Sequence, residues 1–95
     1  MSTENVDNIT SAQCRGARGL LGLTQPALAS VAKLGLSTIV DFERARRHVS
    51  REAVQAIRRA LEAAGIEFID ENGGGPGVRL RKRQRAKQDK SKRHI

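Results

Sequence analysis

Residues 25–32 and 36–44 are two short, helically patterned apolar segments, and only Lys33, Leu34 and Gly35 lie between them. So short a connection forces the second helix to cross the first at once, and the rest of the chain must pack around that pair. Thr24 is a good N-cap. Pro26 falls in the first turn, where its missing N–H breaks no intrahelical bond, so the first of the two helices starts at Gln25. Leu28, Ala29 and Ala32 supply its buried side, and Ile39 and Phe42 face inward from the second.

The flanking sequence extends the pattern. Thr10 or Ser11 caps a helix over 11–21, with Ala12, Cys14, Ala17, Leu20 and Leu21 partly at helical spacing, and Gly22 stops it. After a charged connection over 44–49, Ser50 caps a fourth helix that buries Val54, Ile57, Leu61 and Ala64 before Gly65 ends it. The period then changes from helical to alternating. Ile66 and Phe68 can share a face with Val78 and Leu80 across the glycine-rich stretch DENGGGPG, which reads as a β-hairpin. A two-stranded hairpin is marginal alone, so it packs on the helices or pairs with another chain. The expected fold is mainly α: a compact four-helix helix-turn-helix domain with a short C-terminal β-hairpin over 9–81. A flexible N-terminus, 1–8, precedes it and a disordered basic tail, 82–95, follows.

Ninety-five residues make one small domain with a modest core and little room for an enclosed catalytic pocket. The formal net charge is +8, and from Val78 to Ile95 nine Lys or Arg face only Asp89. The stretch from Ile9 to Arg59 is basic too, with nine cationic against three acidic residues. Such a balance favours a polyanionic partner, with the tail either a solvated charge run or a phosphate-contacting arm. No apolar run approaches the ~20 residues needed to span a bilayer, and MSTENVDNIT lacks the features of a secretion signal, so a cytoplasmic protein without membrane contact is expected. The single Cys14 reads as a small core residue rather than a reactive thiol. His48 and His94 have no second ligand at metal spacing, and Gly73 to Gly77 lacks the ending of a phosphate loop. No catalytic constellation, metal or cofactor is therefore expected.

Leu23-Thr24-Gln25, then Leu28-Ala29, Ala32, and Ser37-Thr38-Ile39 through Phe42-Glu43-Arg44 resemble the helix-turn-helix of the Cro/C1-type (XRE) bacterial and phage regulators, and Ala64 to Arg81 is similar to the hairpin that follows it in many short members. The resemblance implies an ion pair between Arg18 and Glu43 that locks the first helix to the third. Two positions depart from the family pattern. Lys33 stands where the family has a glycine of positive φ, and Gly35 stands where it caps the third helix with Ser or Thr. Either Gly35 has taken over the strained conformation or Lys33 bears it, at a cost on the order of 1 kcal/mol.

Helix-turn-helix docking sets the second helix of the pair in the major groove and the first across the backbone. Thr24, Gln25 and the N–H groups at Gly35 would then meet phosphate, and Leu36, Ser37, Thr38, Val40 and Asp41 would lie at the groove. Arg44, Arg46 and Arg47 would supply phosphate contacts. The expected function is a sequence-specific transcriptional regulator, in particular a repressor, binding double-stranded DNA as a homodimer. The reading helix, however, offers no Arg, Asn or Gln before Arg44 at its end. The alternative is a protein-interaction module, antiactivator or antitoxin-like, that keeps the helix-turn-helix shape and holds a second protein through Leu36 and Val40.

Overall fold

The computed structural model describes residues 9–46, 48–70 and 73–81. The expectations for 1–8, Arg47 and the tail 82–95 lie outside them. Four helices, α1 (Ser11–Leu21), α2 (Gln25–Ala32), α3 (Leu36–Glu43) and α4 (Arg51–Ala63), precede an antiparallel hairpin of β1 (Ile66–Ile69) and β2 (Gly77–Leu80). The fold is thus mainly α with a C-terminal hairpin.

Each helix begins where a side-chain oxygen replaces a missing backbone partner, except α3. Thr10 accepts from the Gln13 amide, Thr24 from Ala27 and Ser50 from Ala53. In α1 the bond is reciprocal, because Gln13 Oε1 accepts from the Thr10 N–H at 2.8 Å. The first three helices also end alike. The amides of Leu23, Leu34 and Arg46 reach back to the carbonyls of Arg18, Ala29 and Asp41, and those of Gly22, Lys33 and Ala45 to Gly19, Ser30 and Phe42. This is the Schellman closure, which needs a left-handed residue at its centre. Gly22 adopts that conformation at φ 68° without penalty, but Lys33 at φ 61° and Ala45 at φ 53° each carry a Cβ there. The turn between α2 and α3 therefore keeps its strain on Lys33, and Gly35 is extended at φ −71°.

The core gathers Cys14, Ala17, Leu28, Ile39, Ile57, Leu61 and Ile66, with Ile9 and Val49 closing its margins. Three apolar expectations are corrected. Ala12 and Leu20 are exposed, because α1 turns Gln13, Cys14 and Ala17 inward instead. Ala64 is exposed as well, since the helix has already ended at Ala63 and Ala64 is its C-cap.

The hairpin packs on the helices. Its register pairs Ile66 with Leu80 and Phe68 with Val78, so the four apolar residues share one face, as alternation requires. Gln13 Nε2 donates to the Gly77 carbonyl at 2.9 Å and to Ile69 O at 3.4 Å, tying the loop end of both strands to α1. One turn on, a Cβ at Gly16 would stand 3.3 Å from Val78 Cγ2, so a glycine lets α1 lie close against β2. At the other end Arg81 donates to the Glu62 carbonyl at 2.7 Å, closing the last turn of α4.

Candidate nucleic-acid interface

Glu43 orients α3. It is the last residue of that helix, and only 3% of it is exposed. Arg18 from α1 grips its carboxylate with two N–H groups, Nε to Oε2 at 2.6 Å and Nη2 to Oε1 at 2.7 Å. Gln25 Nε2, at the start of α2, donates to Oε1 at 3.0 Å, and the Cys14 thiol donates to Oε2 at 3.1 Å. Three helices thus converge on one carboxylate. Arg18 also donates to Leu23 O at 3.0 Å, which pins the link between α1 and α2.

Electrostatics follow from these contacts. Burial pushes the Glu43 carboxyl up, but the hydrogen bonds from Arg18, Cys14 and Gln25, with the Arg18 charge, outweigh it and hold the group below the usual carboxylate range. The Cys14 thiol moves the other way, raised first by burial and then by its bond to Glu43 and that carboxylate's charge. Cys14 is therefore an inert donor in the core.

Ile39 and Glu43 are buried, whereas the first turn of α3 stays open to solvent. Leu36 is 46% exposed and Ser37 is exposed, while Thr38 and Val40 are half-buried. Leu36, Ser37, Val40 and Asp41 lie on one face of the helix by their spacing. Asp41 is half-buried and engaged within the protein, so it is not an idle acceptor for a base. Gly35 is the N-cap of α3 and contributes no side-chain cap, which leaves the first amides of the helix uncovered by a side chain.

The residues placed against phosphate divide. Thr24 is exposed and retains its hydroxyl proton while its oxygen caps α2. Gln25 is half-buried and its nitrogen is committed to Glu43, so it meets an anion only through its second N–H. Arg44 and Arg46 are exposed on either side of Ala45, and no carboxylate pairs with them among the described residues.

Sequence reasoning missed Arg15. It is exposed on α1, one turn before Arg18, and its Nη1 donates to the Glu43 backbone carbonyl at the C-terminal end of α3. The signal was present, since residues i and i+3 on one helix face the same neighbour.

Among the described residues no group of three or more His, Cys, Asp or Glu could hold a metal ion. No helix there is long and apolar enough to cross a membrane. No protein-family model matches the chain, and no curated protein matches it significantly.

Proposed function

We propose that the protein is a sequence-specific DNA-binding regulator of the Cro/C1 type, a bacterial or phage repressor that acts in the cytoplasm as a homodimer on double-stranded DNA. One observation carries this reading. α3 is buried and locked at Ile39 and Glu43, exposed at Leu36 and Ser37 in its first turn, and followed at once by Arg44 and Arg46, which no carboxylate neutralises among the described residues. Eight helical residues span about 12 Å, so with the first turn of α3 at the base edges the charges beyond its C-terminal end are left for the phosphate backbone.

The chemistry available at the groove is limited and specific. Leu36 suits the C5-methyl of thymine, and Ser37 can donate to or accept from a base edge. Backbone contacts from Thr24, Arg44 and Arg46, with the basic residues of 82–95, provide affinity that does not depend on sequence. DNA shape supplies the remaining discrimination.

A second reading is favoured by exposed apolar side chains on α2 and α3. Leu36 is 46% exposed and Val31 on α2 is 60% exposed, which suits a protein partner as well as a thymine methyl. Selection of bound molecules from a random duplex pool separates the two. Enrichment of a thymine-containing palindrome supports the regulator; a pool that stays random while the protein is pure and folded favours the interaction module.

A further inference from the structure

We propose that Arg15 is a phosphate ligand of this interface, holding the DNA backbone where it passes the C-terminal end of α3; the inference rests on the DNA-binding reading. Arg15 and Arg18 leave α1 on the same side, yet they meet different chemistry. Arg18 takes both oxygens of the Glu43 carboxylate, which also accepts from Gln25 and Cys14. Nothing of that carboxylate remains for Arg15. It donates one N–H to the Glu43 main-chain carbonyl instead, and among the described residues no carboxylate neutralises it.

The consequence is an exposed guanidinium that is anchored but not paired. Five N–H groups are available on arginine, and the carbonyl occupies one. Arg44 follows Glu43 directly and Arg46 is held nearby by its amide bond to Asp41 O at 2.9 Å. Two elements therefore bring three cations to the end of one short helix. Like charges gathered in this way repel each other, and a bridging phosphate both relieves the repulsion and accepts the forked N–H groups. A helix C-terminus alone is satisfied by one cation and explains Arg15 without Arg44 or Arg46.

Titration of a random-sequence 20-base-pair duplex over a series of salt concentrations tests this, using the full chain, Arg15→Gln, Arg15→Lys and a second neutral variant, Arg15→Met, each checked by thermal unfolding. Removing one phosphate contact makes the salt slope shallower by about 0.9 and weakens binding about eightfold at 0.1 M salt. Both neutral variants are expected to show this on every duplex alike, and Arg15→Lys to restore the slope. If the neutral variants unfold earlier but bind with unchanged slope and affinity, Arg15 only caps α3 and the inference is overturned. A wild-type protein that binds no duplex at any salt removes the DNA-binding reading itself, and this inference with it.

Discussion

Glu43 illustrates how one buried residue fixes the position of an exposed surface. Its carboxylate joins α1, α2 and α3, so its loss frees the helix that presents Leu36 and Ser37. Because the folded carboxyl is held below its ordinary 4.5, the stabilisation is complete above that value and is lost as the pH falls through the lower folded value. Urea midpoints are expected to drop below about pH 4.5 in the wild type and to drop less in Glu43→Gln. At neutral pH Glu43→Gln is expected to cost about 3 kcal/mol, since it leaves Arg18 without its partner. An acid limb as steep in the variant as in the wild type would show that other carboxylates carry it. Lys33 and Ala45 give a complementary residue-scale test. Lys33→Gly and Ala45→Gly are each expected to raise stability by up to about 1 kcal/mol, the relief of a Cβ in the left-handed region, read as higher urea midpoints. Unchanged or lower midpoints in both would mean that the entropy of the unfolded chain offsets that relief.

The elements were legible from the sequence wherever one local rule dominated. Thr24 and Pro26 start α2, Ser50 starts α4, and alternation sets the hairpin register. Elements were misread where a side chain answers to a distant partner. Gln13 is polar, yet it is buried with its amide donating to two hairpin carbonyls, and this rotation leaves Ala12 and Leu20 outside. The strain at Lys33 was equally hidden. Its cost is similar to the gain from the hydrogen bonds it permits, so local preference cannot choose between Lys33 and Gly35. The Arg18 and Glu43 pair was accessible only through family resemblance, because neither periodicity nor composition links residues 25 positions apart.

Two glycines on α1 turn this contrast into a measurement. A Cβ at Gly19 would have nothing within 4 Å, whereas one at Gly16 would stand 3.3 Å from Val78 Cγ2. Gly19→Ala is therefore expected to stabilise by about 0.5 to 1 kcal/mol through helix propensity alone. Gly16→Ala is expected to gain less, or to lose, because Val78 must give way. Equal shifts in unfolding temperature would mean that α1 does not lie against β2 as described.

At the scale of the whole molecule, the helices and the hairpin meet on α1 and α4, while α3 packs against α1 and α2. A symmetric partner and a DNA duplex can thus be accommodated on different elements. Phe68 is a poor probe of the proposed homodimer, since the Arg58 guanidinium lies 5.4 Å from its ring centroid and the residue is half-buried. Leu80 is the better one, at 48% exposed and opposite the buried Ile66. Leu80→Asp is expected to shift sedimentation from dimer to monomer with the helical signal retained. A wild-type monomer both free and bound to DNA would exclude the hairpin dimer.

Base reading is proposed for the exposed first turn of α3, and Leu36 tests it most directly. On the duplex recovered by selection, Leu36→Ala and replacement of one thymine per half-site by uracil should each weaken binding by about 1 to 3 kcal/mol. Combined, they should cost little more than either alone, because both delete the same contact. Binding to random duplex should remain unchanged. If both changes leave specific binding intact while Leu36→Ala abolishes a complex with another protein, α3 is a protein-binding surface and the account is contradicted.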